Sequence, residues 1–183
     1  MIQYEKIELD YQLPIKLLDI YFEDHHTKTA KHYHTSIEIL IPVLGKLKLF
    51  ITDKELIIPQ GSLYIINSQE IHGMHHTEDT DIYKGYALQI NYDFIKKYYP
   101  AIDNYQFIQP NHKIKEKILL DIFKIIAAYD HSNQFQRIEI ESYILHLLYT
   151  LLSNTLDKKT NLNLQTLHDK RIIRMTQYID LHY

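Results

Sequence analysis

Two periodicities divide the chain. Up to about residue 92 the apolar positions come in short runs, at residues 15–22, 37–44, 46–51, 55–58, 63–66 and 82–90. Within 46–51, lysine alternates with leucine before Phe50 and Ile51, as in an antiparallel strand with one face toward water. Gly45-Lys46, Thr52-Asp53-Lys54 and Pro59-Gln60-Gly61 read as turns between these runs. Short strands joined by brief turns predict a sandwich or a small barrel.

From residue 111 the period lengthens. Ile114, Ile118, Ile122, Ile125 and Tyr129 fall at helical spacing, and Asn111 after Pro110 supplies an N-cap. The polar stretch 130–133 ends this helix, and a second is expected over residues 134–156. Its apolar positions form two stripes. One holds Phe135, Ile138, Leu145, Tyr149, Leu152 and Leu156, spaced in threes and fours once Ser142 is counted; the other holds Ile140, Ile144, Leu147 and Leu151. A helix with two apolar stripes must bury both. The first helix and the strands can cover one. The other is covered within the monomer or meets a second chain in coiled-coil fashion, and a homodimer through the 134–156 helix is the expectation. Residues 157–165 are polar and read as a linker. Beyond it Ile172, Met175 and Ile179 mark one face of a last helix, which looks like the start of a further domain.

Composition narrows the function classes. Twenty basic and 23 acidic residues give a net charge of −3, without the basic excess of a domain that grips nucleic acid by itself. No cysteine is present, which excludes disulfides and thiolate metal sites. Residues 1–8 carry charges where a signal peptide needs an apolar run, and the apolar stretch 143–152, interrupted by His146, is too short to span a bilayer. A cytoplasmic protein without membrane contact is the expectation. Twelve histidines and 16 tyrosines stand out, and only their positions can give them meaning.

The informative segment is His32-Tyr33-His34-Thr35-Ser36-Ile37-Glu38, with Gly45 after six further residues; Gly61 and His72 follow downstream. His32 and His34 project from one face of an extended strand. Glu38 would lie about 20 Å from His32 if that strand ran straight. Thr35-Ser36 offers a reversal that would return Glu38 beside the imidazoles, with His72 arriving from another strand. Three imidazoles and one carboxylate suit a divalent first-row metal with positions left open for a ligand.

These residues resemble the cupin superfamily. Its first motif, His-x-His, three or four residues, Glu, six residues, Gly, is matched by residues 32–45; the leading glycine is absent and His26 stands there. Of its second motif Gly61 and His72 match, while Asn67, Gln69 and His76 replace the usual proline, glycine and asparagine. The run from Gly61 to Asn67 is similar to the form found in sensor domains of AraC/XylS-family transcription regulators, with Ser62 in place of an acidic residue. Residues 171–179 resemble the helix that opens the DNA-binding domain of that family. The resemblance implies a mainly β domain with C-terminal helices (α+β): a cupin-like antiparallel β-barrel over residues 1–110 that holds an effector, then a helical dimerisation pair over 111–157. Residues 158–183 would be linker and opening helix, so DNA would be met only through a domain absent from this chain.

The roles of the candidate residues follow from that resemblance. His32, His34, Glu38, Tyr64 and His72 are expected to line a small-molecule effector pocket, Tyr64 by strand alternation from Ser62 and Ile66. In this family the quartet commonly stands without a metal, so no cofactor is expected, although His32, His34, Glu38 and His72 are a possible divalent metal set. Purely structural histidines are the third reading. The domain is expected not to be an enzyme; a metal-dependent cupin dioxygenase or isomerase is the alternative, and a dimerisation module with a filled barrel is another. The pairs His25-His26 and His75-His76 read as exposed loop residues. Histidines 112, 131, 146, 168 and 182 form no cluster, and the basic positions 158, 159, 170, 171 and 174 read as solvated linker charge.

Overall fold

The computed structural model describes residues 2–9, 13–23, 28–76 and 82–159. The strands are β1 (Gln3–Tyr4), β2 (Ile15–Phe22), β3 (His32–Tyr33), β4 (Ile37–Leu44), β5 (Leu47–Ile51), β6 (Lys54–Ile58), β7 (Tyr64–Ile66), β8 (His72–His76), β9 (Tyr83–Ile90), β10 (Tyr105–Phe107) and β11 (Leu156–Lys158). The helices are α1 (Tyr92–Tyr98), α2 (His112–Tyr129) and α3 (Gln136–Asn154), with a 3-10 turn at Pro100–Asn104. One sheet has the order β1-β3-β8-β5-β6 and a second the order β2-β9-β4-β7; among the described residues β10 and β11 make a two-stranded sheet of their own. The chain is mainly β with helices gathered toward its C-terminal part.

Three layers explain the two kinds of strand pattern. The second sheet lies in the middle and buries both faces. Ile37, Ile39 and Ile41 of β4, with Leu88 and Ile90 of β9, join one core with α2 and α3. Leu40, Ala87, Tyr83 and Phe22 turn the other way and pack on Leu47, Leu49, Ile51, Ile58 and Met74 of the first sheet. A strand buried on both faces reads as a nearly unbroken apolar run, as β4 does. The first sheet has one face toward solvent, so β5 alternates buried and half-buried residues.

The sheets do not close into the barrel expected from the resemblance. A barrel needs an unbroken hydrogen-bonded ring, and the outer edge of β7 has another partner. Ile65 donates from its amide to Gln109 Oε1 at 2.9 Å and accepts from Gln109 Nε2 at 2.7 Å. Asn67 makes a matching two-way bond with the backbone of Phe107, at 2.7 and 3.0 Å. Two side-chain amides thus stand in for the missing strand. The expected antiparallel pairing is also incomplete, because β1 runs parallel to β3.

Gly45 and Gly61 earn their places in the matched motifs by backbone conformation. Their φ values are 78° and 71°, in the left-handed region where a Cβ is strained.

Residues 72–76, whose last two were expected in a loop, form β8 because β5 pairs with them from Leu47↔His76 to Ile51↔His72. The sequence His-Gly-Met-His-His has no strand pattern of its own, so the neighbouring strand decides its conformation. Leu156–Lys158, expected at the end of the second helix and the start of the linker, return as β11 beside β10. From residue 160 onward the linker and last helix fall outside the described residues, as do His25, His26, His168 and His182.

Asn111 caps α2, its side chain accepting from the Ile114 amide at 3.1 Å. Asn111→Ala should cost about 1 kcal/mol in chemical denaturation; an unchanged transition would show that the cap is not needed. In α3, Ile140, Ile144, Leu147 and Leu151 are buried against α2 and the middle sheet. Most of the other stripe stays out: Phe135, Ile138, Leu145 and Tyr149 are 61%, 66%, 41% and 67% exposed, while Leu152 and Leu156 are half-buried against the core. Among the described residues, no helix is long and apolar enough to cross a membrane.

Candidate metal and effector site

The site forms where the chain passes from one sheet to the other. β3 belongs to the first sheet and β4 to the second, and the bend between them lies at Thr35 and Ser36. It turns the chain so that Glu38, on the face of β4 toward the first sheet, meets His34 from behind. His72 enters from β8, directly opposite His32. The ligand atoms of His32, His34, Glu38 and His72 all lie within 4.8 Å of one another. His34, Glu38 and His72 are buried and His32 is half-buried.

The orientation of the rings is set from outside. Nδ1 of His32 donates to Ala30 O at 2.9 Å, Nδ1 of His34 to Ser36 O at 3.1 Å, and Nδ1 of His72 to Glu70 O at 2.8 Å. A carbonyl oxygen only accepts, so each bond assigns the proton to Nδ1 and leaves Nε2 with its lone pair in a neutral ring. The three Nε2 atoms face carboxylates. His34 Nε2 stands 2.7 Å from Glu38 Oε2, His72 Nε2 3.6 Å from the same oxygen, and His32 Nε2 3.2 Å from Glu5 Oε2. Lone pairs facing carboxylates repel unless a proton or a cation lies between them. His72 Nε2 is buried without a hydrogen-bond partner. These observations fit a divalent cation: three neutral imidazoles held by outer hydrogen bonds, one carboxylate, and one buried nitrogen left unsatisfied.

Electrostatics agree with an ionised Glu38. Burial pushes its carboxyl up, but the His34 and His72 imidazoles beside it outweigh burial and hold it well below the usual carboxylate range. For His32, burial lowers the pKa, while Glu5 and the Ala30 carbonyl together raise it above the ordinary value.

Two contributors were missed in the sequence. Gln89 of β9, directly opposite Glu38, donates from Nε2 to Glu38 Oε2 at 3.0 Å and leaves its buried Oε1 without a partner. A lone glutamine in a strand carries no local signal; only the pairing of β4 with β9 brings it here. Glu5 is brought by β1. Tyr64, in contrast, is not gathered into the cluster. It lies opposite Leu40, two residue pairs beyond the row of Glu38 and Ile66, and packs on the apolar core between the sheets. Burial and the charge of Glu70 raise its phenol pKa.

Residues 16–148 match the family model of the AraC-like ligand binding domain. The chain belongs to that family. Solved structures similar to this AraC-like ligand-binding domain include an RmlC-like cupin protein from Methanocaldococcus jannaschii, 16% identical, with 48% of this chain and 91% of that one aligned at a TM-score of 0.39. A cupin protein of Desulfitobacterium hafniense aligns at 9% identity over 46% and 74% of the two chains, TM-score 0.41. The cupin domain of Schizosaccharomyces pombe Cnp3 aligns at 6% identity over 50% and 66%, TM-score 0.43. No curated protein matches the chain in sequence.

Other histidines of this AraC-like ligand-binding domain have separate partners. His75 stacks on Phe50 with ring centroids 5.2 Å apart, and His146 pairs with the buried Asp121 at 2.9 Å. A separate cleft of about 230 Å³ lies between α1 and α3, lined by Pro14, Phe94, Lys97, Tyr98, Glu141, Ile144 and Leu145. Its walls mix apolar side chains with Lys97 and Glu141, and the convergent chemistry lies at the quartet instead.

Proposed function

We propose that this chain is the sensing and dimerisation part of an AraC-family transcription regulator, with the His32, His34, Glu38 and His72 cluster as its effector site. The family match supports sensing. The observation that carries the choice of site is the gathering of three imidazoles and the buried Glu38 carboxylate within 4.8 Å of one another, with His72 Nε2 unsatisfied. His32, His34, Glu38 and His72 would hold a divalent cation, which would supply a Lewis-acidic anchor for an oxygen-bearing effector. Gln89 would steady Glu38 and offer its free Oε1 to a donor. Dimerisation would use the exposed stripe of α3, and DNA would be reached through a further domain. Effector binding would favour one arrangement of the dimer over another.

Co(II) titration of protein purified without a histidine tag tests the site. Saturation near a hundredfold excess over Kd should add about 2.7 kcal/mol to stability, a rise of about 5–10 °C in Tm for a domain of this size. His34→Ala should abolish both the binding and the rise. Equal Co(II) binding by His34→Ala would remove the cluster as the site. The alternative, a metal-dependent cupin enzyme, predicts substrate turnover that depends on the same residues. Fusion of the chain to a heterologous DNA-binding domain separates the two, because a sensor changes reporter output on binding without consuming its ligand.

A further inference from the structure

A second carboxylate stands at the more open side of the cluster. β1 runs parallel to β3 with Gln3 beside His32 and Tyr4 beside Tyr33. The Gln3 amide donates to Lys31 O at 3.2 Å and the Glu5 amide to Tyr33 O at 2.9 Å, while the Tyr4 and Tyr33 rings lie 5.5 Å apart. These contacts hold the backbone of Glu5 one residue beyond the strand pair and set its Oε2 3.2 Å from His32 Nε2. The side chains of His32 and Glu5 are 14% and 42% exposed, against 2% or less for His34, Glu38 and His72.

We propose that Glu5 is a fifth donor to the cation, so that metal binding fastens the strand that carries it. The inference rests on the reading of the quartet as a cation site and extends it. Three arguments support it. First, the spacing to His32 fits: two ligands each about 2.0–2.2 Å from one ion lie about 2.8–3.6 Å apart between right-angled and tetrahedral geometry, and the Glu5 to His32 separation falls in that interval. Glu5 stands outside the set of ligand atoms that lie within 4.8 Å of one another, so its 42% exposed side chain would swing inward to join them. Second, the charge fits. Three neutral imidazoles and Glu38 leave a divalent ion with one uncompensated positive charge in a buried site, and Glu5 cancels it. Third, His32 Nε2 has its ion-pair contact with this carboxylate oxygen while its Nδ1 is committed to Ala30 O. The quartet supplies four donors, and octahedral divalent ions accept six.

The test is Co(II) titration, followed by calorimetry and visible absorption, on wild type, Glu5→Gln and Tyr4→Ala. Glu5→Gln keeps a side chain of the same shape that can still bond to His32, but removes the charged donor. It is expected to lower Co(II) affinity about 10- to 100-fold and to change the shape and intensity of the d–d bands. Tyr4→Ala loosens the strand without removing the donor, and should keep the wild-type spectrum. Hydrogen exchange gives an independent measurement: Co(II) should slow exchange of the Gln3 and Glu5 amides in wild type and not in Glu5→Gln. Equal affinity and an identical spectrum in wild type and Glu5→Gln would overturn the assignment of Glu5 while leaving the quartet intact. Wild type that binds no Co(II) would overturn the cation reading and this inference together.

Discussion

Glu38→Ala is expected to lower the unfolding free energy by about 3 kcal/mol and to abolish Co(II) binding. The side chain is 2% exposed and its Oε2 accepts from Gln89 Nε2 at 3.0 Å while facing His34 Nε2 at 2.7 Å. Truncation leaves Gln89 Nε2 buried without its acceptor and opens a void beside His34, and unsatisfied buried polar groups cost more than a hydrogen bond gains. Acid should mimic the substitution. Because the folded carboxyl is held below its ordinary value of 4.5, its ionisation stabilises the fold fully above that pH and progressively less as pH falls below it. Urea denaturation of metal-free wild type and Glu38→Gln should therefore show a gap that is wide at neutral pH and narrows below about pH 4.5. A gap that does not change with pH would mean that Glu38 is not held as a carboxylate.

Substitutions on the two stripes of α3 should separate folding from association. Leu147 is fully buried and packs in the core shared by the helices and the middle sheet. Leu147→Ala should cost about 2–5 kcal/mol by leaving a cavity. Tyr149 and Ile138 lie on the outer stripe, 67% and 66% exposed. The double variant Ile138→Glu, Tyr149→Glu should change monomer stability by less than about 0.5 kcal/mol. In sedimentation velocity it should turn a dimer into a monomer, since two carboxylates would have to be buried in the joint. A dimer that survives the double substitution would move the interface elsewhere.

How far the sequence revealed the site depends on which contacts are local. His32, His34 and Glu38 lie within seven residues, so their reunion needed only a reversal at Thr35 and Ser36, two residues that tolerate one. His72 was legible through its distance from Gly61. Tyr64 was not gathered with them, because alternation along a strand specifies a face but not the depth along it: Tyr64 shares the inner face with Glu38 yet stands beside Leu40. Gln89 and Glu5 were invisible, since their places depend on partners 51 and 27 positions away along the chain. The same division holds for secondary structure. β2 and β4 carry enough apolar and β-branched residues to be read with their ends correct, whereas β8 exists because β5 pairs with it.

By itself the sequence determined the change from strands to helices near residue 111, the cap at Asn111, the two stripes of α3 and the His-x-His and Glu group. Each rests on periodicity or on neighbours a few positions apart. Only the tertiary structure decided that the sheets stay open, that one stripe of α3 is covered and most of the other exposed, and that Glu5 reaches His32 and Gln89 reaches Glu38. Those outcomes depend on which elements meet, and competition for hydrogen bonds at an edge such as that of β7 is settled by residues 44 positions away.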